Sequence, residues 1–399
     1  MASYGLREAA HRAGLTEERL AQFVAAGALT PRVDGDFNEG DVRRALCVAT
    51  FMDAGVPLEA LAQAVSSGTI TFDFLDSPEY QRLAATSNET FQEVHERSNV
   101  PFDLLVALRE STGSPAPELD SFVRENELQA LPYLELAIAC GMEPKSIERH
   151  IRVMGDGLRR TAETESDIWY REIIGPIVAR GATGALSLPP GTDRLADLGD
   201  QMLLTILHGR QGHAWLNNVV RGVGEQMAKA GIHTAPQHLP TMCFIDVTGY
   251  TRMTAEKGDA AAAQLAEQVA RIVERTAMQF GGTPVKWLGD GVMVHFEEAR
   301  GAVTAALEML PALAAAGLPP AHVGIHSGEV HFNQGDYFGQ TVNLCARIAD
   351  FARPGEILVS ADSIAAAGEV AGVSFDEIGP VELKGVGGPV VLFTARPAG

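Results

Sequence analysis

Two aspartates, each at the end of an apolar run, carry the main chemical signal in the sequence. Asp246 closes Cys243-Phe244-Ile245-Asp246-Val247-Thr248-Gly249, where strand-forming residues run into an acid and break at Gly249. Asp290 lies in Lys286-Trp287-Leu288-Gly289-Asp290-Gly291-Val292-Met293-Val294, where Gly-Asp-Gly between two apolar runs predicts a tight hairpin. A single aspartate in a Gly-flanked turn is most often only a turn former. Two carboxylates held side by side at the ends of buried strands are different, because they repel unless a cation lies between them. A divalent metal carried by a nucleotide phosphate meets that need.

Three further residues fit the same chemistry. The 399 residues include only five lysines, Lys145, Lys229, Lys257, Lys286 and Lys384, so Lys286 inside an apolar strand calls for a chemical reason. Downstream, Gly339 precedes a predicted helix in which Asn343 and Arg347 are four apart and share one face. An amide and a guanidinium fork one turn apart can hold a sugar oxygen and a phosphate.

These residues need a scaffold, and the hydrophobic period from Thr241 onward supplies one. Met242–Val247 reads as a strand and Ala260–Phe280 as an amphipathic helix. Val285–Phe296 reads as a hairpin, Ala299–Ala315 as a helix, and His322–Ser327 as a strand. The order is β-α-β-β-α-β, ferredoxin-like, with helices expected on one sheet face and the other left for a ligand or a second subunit.

Five ordered motifs make residues 241–393 resemble the catalytic domain of a class III nucleotidyl cyclase. They are Phe-Ile-Asp246-Val-Thr-Gly-Tyr250-Thr251, Lys286-Trp-Leu-Gly-Asp290-Gly, Gly-Ile-His-Ser-Gly at 324–328, Asp336-Tyr-Phe-Gly-Gln-Thr-Val-Asn343-Leu-Cys-Ala-Arg347, and Glu-Leu-Lys384-Gly-Val. The resemblance implies two divalent cations, Mg2+ or Mn2+, held by Asp246, Asp290 and the backbone carbonyl of Ile245. It implies that Lys286 and Asp336 read adenine, that Asn343 orients the ribose, that Arg347 stabilises charge at the α-phosphate, and that Lys384 contacts the terminal phosphates. A donor and a carboxylate do complement adenine N1 and N6. ATP would then be converted to cyclic AMP and pyrophosphate at a homodimer interface, the metal ligands coming from one protomer and the other residues from its partner. Some relatives carry a phosphate-binding arginine after His-Ser-Gly; here Glu329 stands there, leaving phosphate binding to Lys384, Arg347 and metal.

The fold class expected is therefore α+β: an all-α regulatory domain at 1–230, a linker at 231–240, and a catalytic domain at 241–399. Residues 1–66 resemble the start of a MerR-type winged helix-turn-helix. Thr16 reads as an N-cap, and further helices start near Glu39 and Pro57. Residues 1–70 nevertheless hold six arginines and no lysine against nine acidic residues, the wrong balance for reading DNA. An internal repeat is visible, with Gly55 echoed by Gly141 and the stretch around Gly14 echoed near Asn99. Beyond it, Ile147, Ile151, Met154 and Leu158, then Leu203, Ile206, Leu207 and Trp215, read as core or helix-pairing stripes. This half is similar to the helical regulatory domains of some actinobacterial cyclases. That similarity leaves protons, a lipid or other small molecule, or a protein as its stimulus.

His208, His213, His233 and His238 lie near the joint as candidate pH-sensing groups. The net charge of −20 argues against nucleic acid and anionic lipid as partners. Cys47, Cys140, Cys243 and Cys345 lie in apolar contexts without metal spacing and read as reduced core residues of a cytoplasmic protein. No signal pattern or membrane-spanning run is expected. A competing reading is a transcription regulator with a MerR-like start whose second half only binds nucleotide. A cyclic-di-GMP synthase is disfavoured, since the hairpin turn reads Leu-Gly-Asp-Gly rather than Gly-Gly-Asp/Glu-Glu-Phe.

Overall fold

The structure, a computed structural model, describes residues 3–31, 35–76, 82–179, 189, 191–232, 239–249 and 258–398. It divides into two compact units, Met1–Arg221 and Gly222–Gly399. His233 and His238, Lys257, Tyr250 and Thr251, and most of the expected linker lie outside the described residues.

The first unit is helical, with α1 (Leu6–Arg12), α2 (Glu17–Ala26), α3 (Glu39–Asp53) and α4 (Leu58–Ser66) followed by a second, similar series. That series is α5 (Phe91–Ser98), α6 (Phe102–Ser111), α7 (Glu125–Ala139) and α8 (Pro144–Trp169). The starts of α1 and α5, and of α2 and α6, are 85 residues apart; those of α3 and α7, and of α4 and α8, are 86 apart. Buried residues correspond at the same offsets: Leu20 with Leu105, Phe37 with Val123, Ala45 with Leu131, Val48 with Leu134, and Leu61 with Ile147. A buried acid recurs at the third position of α3 and α7, where Asp41 and Glu127 each accept from the backbone N–H three residues back. Asp41 also pairs with Arg44, and Glu127 with Arg109. An acid that accepts from the N-cap N–H in this way helps to fix where each helix begins. The unit also holds a short antiparallel pair, β1 (Thr86–Thr90) with β2 (Phe122–Arg124).

Helix α2 begins as its sequence predicts, the Thr16 hydroxyl accepting from the Arg19 N–H. The described arginines of this stretch each lie near a carboxylate. Arg7 faces Glu17, Arg12 faces Glu39, Arg19 faces Asp53, Arg43 lies 3.9 Å from Asp76, and Arg44 faces Asp41.

Helix α8 passes through a π turn at Tyr170–Ile174 into α9 (Gly175–Ala179), and α10 (Leu195–Lys229) crosses the boundary between the units. Of the expected stripes, Ile147 and Ile151 are buried, but Met154, Leu158, Ile206, Leu207 and Trp215 are exposed. Those residues therefore form apolar surface rather than core. Cys140, at the C-cap of α7, is likewise exposed rather than core.

The second unit is built on β3 (Thr241–Val247), α11 (Asp259–Gln279), β4 (Gly282–Leu288), β5 (Gly291–Phe296), α12 (Ala299–Ala315) and β6 (Ala321–Ser327). The spatial order β6-β3-β5-β4 is the ferredoxin-like one. Three more strands extend the β6 edge: β9 (Ile357–Ser360), β10 (Val373–Val381) and β11 (Val390–Pro397) make it a seven-stranded sheet ordered β10-β11-β9-β6-β3-β5-β4. A separate ribbon pairs β7 (His331–Asn333) with β8 (Asp336–Phe338).

Alternation along β3 sorts its residues. Cys243, Ile245 and Val247 enter the core with Val269 and Val273 of α11 and Ala302, Ala306 and Met309 of α12. The opposite face is less open than the sequence implied, because α13 (Gln340–Phe351) packs on β3 and β6 there. Val342 and Cys345 join Met242 and Met293, and the Cys345 thiol donates to the Met242 and Gly324 carbonyls. Gly324 permits the approach, since a Cβ on it would fall 2.3 Å from the Ala349 nitrogen. A further short helix, α14 (Ala361–Ala367), follows β9.

His295 of β5 stacks on Tyr337, with ring centroids 4.4 Å apart, and burial lowers its pKa to about 4. The unfolded chain protonates such a histidine near pH 6.5, so acid favours unfolding. The contribution is fully present above about pH 6.5 and is lost as pH falls to about 4, an effect of roughly 2 kcal/mol after allowance for partial exposure. Phenylalanine at His295, which keeps the stack, is expected to flatten the fall in urea midpoint between pH 6.5 and 4.5. An unchanged slope would assign the acid sensitivity elsewhere.

Candidate active site

The two aspartates meet at one end of the sheet. Asp246 is the penultimate residue of β3 and lies opposite Gly291 of β5 on one side and His322 of β6 on the other. Asp290 occupies the two-residue turn between β4 and β5, with Gly289 at a φ of 68° supplying the positive dihedral that the turn requires. Burial raises the Asp246 carboxyl above the ordinary carboxylate range, the Asp290 charge pushes it the same way, and His322 opposes. A carboxylate resisting ionisation for want of a counter-charge is a site that a cation would relieve.

Gly291 shapes the space beside it. A Cβ there would fall 3.0 Å from Asp246 Oδ1 and 3.2 Å from the Ile245 carbonyl oxygen, so both oxygens converge on a space kept clear by the missing side chain. Two carboxylates and a carbonyl form a hard-oxygen donor set suited to Mg2+ or Mn2+, with the substrate's phosphate oxygens completing the shell. Among the described residues no three His, Cys, Asp or Glu side chains converge on a metal position. Alanine at Gly291 is expected to raise the Mn2+ concentration for half-maximal activity about 10-fold, the scale of a disturbed ligand surround. An unchanged metal requirement would show that the space is not used.

Lys286 and Asp336 form a second cluster. Lys286 Nζ lies 2.5 Å from Asp336 Oδ2 and 5.7 Å from the Phe338 ring centroid, while Asp336 Oδ1 accepts from the Tyr337 N–H at 2.8 Å. A bulge aims the lysine. Pro284 pairs with Val294 but Lys286 with Met293, so Val285 is an extra residue and Lys286 comes to the Met293 face. From that register, Lys286 and Asp246 are two strands and two residues apart, about 12 Å between backbones.

The remaining residues are exposed. Asn343 and Arg347 lie one turn apart on α13, and Arg347 Nη1 contacts Asp350 Oδ2 at 2.7 Å. Lys384 lies in the turn between β10 and β11, beside the buried Leu383. The Glu329 side chain is exposed, and its carbonyl accepts from the Thr341 hydroxyl at the start of α13. Within one chain the structure thus brings together Asp246, Asp290 and the Ile245 carbonyl, and separately Lys286 and Asp336. Asn343, Arg347 and Lys384 make no direct contact with either group among the contacts described. Sequence reasoning missed His322, whose Nε2 lies 3.4 Å from Asp246 Oδ2. Its only signal is strand register. His208 and His213 are exposed on α10.

The chain is similar to known cyclases. The family described as Adenylate and Guanylate cyclase catalytic domain matches residues 234–395. A pH-sensitive adenylate cyclase of Mycobacterium tuberculosis is 26% identical over 322 residues, covering 76% of this chain and 77% of that protein. An adenylate cyclase of Streptomyces griseus is 28% identical over 160 residues, 40% of each chain. Among solved structures, the adenylyl cyclase CyaB from P. aeruginosa is 24% identical with a TM-score of 0.36, covering 40% of this chain and 94% of that one. Residues 234–395 thus match a class III nucleotidyl cyclase catalytic domain, with adenylate cyclases among the relatives of the chain.

Proposed function

We propose that the chain is an adenylate cyclase converting ATP to 3′,5′-cyclic AMP and pyrophosphate at sites shared by two copies of itself, under control of its N-terminal unit. The observation carrying the choice of ATP is the Lys286–Asp336 pair. A donor and an acceptor 2.5 Å apart match the N1 acceptor and N6 donor on one edge of adenine. Guanine presents a donor at N1 and an acceptor at O6, the reverse order.

Asp246, Asp290 and the Ile245 carbonyl are the residues that would hold divalent cations. When bound, such ions lower the pKa of the ribose 3′-hydroxyl and neutralise the leaving pyrophosphate. The side chains do the rest. Asn343 orients the ribose, Arg347 offers its fork of donors to the α-phosphate as charge develops, and Lys384 contacts the terminal phosphates. The shared site is supported by the exposure of these three residues and by apolar surface left at Trp287, Leu288, Phe338 and along α10. Pairing two copies would cover such surface.

Among the described residues no helix is long and apolar enough to cross a membrane. We place the protein in the cytoplasm, where ATP is available. The arginine–carboxylate pairs among the described residues of the first unit weigh against the transcription-regulator reading, since a paired guanidinium is less available to phosphate. The direct test is turnover of ATP and GTP by the full-length protein with Mg2+ or Mn2+, products separated by chromatography. Cyclic AMP should dominate. Cyclic GMP at comparable kcat/KM would overturn the base assignment, and hydrolysis without cyclisation would overturn the activity.

A further inference from the structure

We infer that His322, steadied by Thr248, is a positioning residue that turns the Asp246 carboxylate toward the divalent cation. The inference rests on the metal site proposed above and assigns a role to residues that site does not otherwise use. Asp246 and His322 are directly opposed on antiparallel strands, so their side chains share one face. His322 Nε2 lies 3.4 Å from Asp246 Oδ2. Its other nitrogen, Nδ1, is 3.3 Å from the Thr248 hydroxyl, and Thr248 is itself tied down by its N–H, which donates to the Pro320 carbonyl at 2.9 Å. The imidazole is nearly buried, with 13% of its side chain exposed against 42% for Asp246.

The two oxygens of Asp246 thus have different neighbours. Oδ2 faces the histidine, while Oδ1 faces the space beside Gly291 that the Ile245 carbonyl also faces. Holding one oxygen fixes the direction of the other. A neutral imidazole with its proton on Nε2 suffices, and its Nδ1 lone pair then accepts from Thr248, so the arrangement needs no change of charge. Groups that orient a metal-binding carboxylate in this way commonly set affinity by 10- to 100-fold.

The test is Mn2+ binding to the full-length protein, read by electron paramagnetic resonance with α,β-methylene-ATP present. His322→Ala should weaken Mn2+ about 10- to 100-fold in protein that still melts cooperatively without metal, and His322→Gln, which keeps an N–H donor, should recover most of the loss. Thr248→Val should weaken binding in the same direction by about 3-fold or more, with Thr248→Ser restoring it. Should His322→Ala not fold, the threonine pair decides alone. Affinities within about 2-fold of the parent in the histidine or valine variants overturn the inference while leaving the metal site standing. A parent protein that binds no Mn2+, or binds it equally after Asp246→Ala, overturns the metal site itself.

Discussion

Alanine at Asp290 or at Asp246 is expected to lower kcat on ATP by about 1000-fold or more, because each removes several kcal/mol of metal-dependent charge stabilisation. The two variants should part company in stability. Asp290 sits in a turn and is half-buried, so its loss disturbs little packing. Asp246 is a carboxylate whose ionised form the fold resists, through burial and the Asp290 charge. Neutralising it as Asp246→Asn should therefore raise the metal-free melting temperature at neutral pH while abolishing turnover, a trade-off common at functional sites. The relief appears only above the ordinary carboxylate range. At lower pH the parent is itself protonated, and the two melting curves should converge. Retained turnover in either variant, or a melting temperature for Asp246→Asn below the parent at neutral pH, would contradict this account of the acids.

Arg347→Ala is expected to cost about 100- to 1000-fold in kcat with KM changed far less, the loss typical of a donor that acts on charge appearing in the transition state. Among the described residues Arg347 pairs with Asp350, and both are exposed. Such a pair contributes little to stability, so melting should not move. Arg347→Lys should recover only part of the rate, since a single ammonium cannot reproduce the planar fork. A rise in KM at constant kcat would instead make Arg347 a ground-state binding residue.

Much of the catalytic unit was legible because its signals are local. The Gly289-Asp290 turn and the break after Asp246 follow from backbone chemistry, and the alternation of β3 follows from its pleat. The bulge at Val285 was not legible, since strict alternation would not put Val285 and Lys286 beside the same cluster. His322 was missed for a related reason: nothing in Ala321-His322-Val323 marks it, and only the pairing of β6 with β3 sets it against Asp246. The period of α13 announces an apolar stripe but not which sheet face receives it. Strands β10 and β11 were hidden by the irregularity between Glu377 and Gly379, where their register shifts and Ile378 is the extra residue. In the helical half, offsets of 85 and 86 between elements matched faint sequence echoes, because caps and buried positions recur while surface residues diverge. The stripes of α10 show the limit of period alone: they identify an apolar surface without naming what covers it.

The central claim is that two chains jointly build each site, the acids from one and Arg347 from the other. Mixing Asp290→Ala with Arg347→Ala, each nearly inactive alone, tests it most directly. Random exchange gives heterodimers in which one of two sites has every residue intact, so turnover should return to about a quarter of the parent's. If heterodimers form and turnover stays at the level of the separate variants, the acids and the arginine belong to the same chain's site, and the shared geometry is wrong.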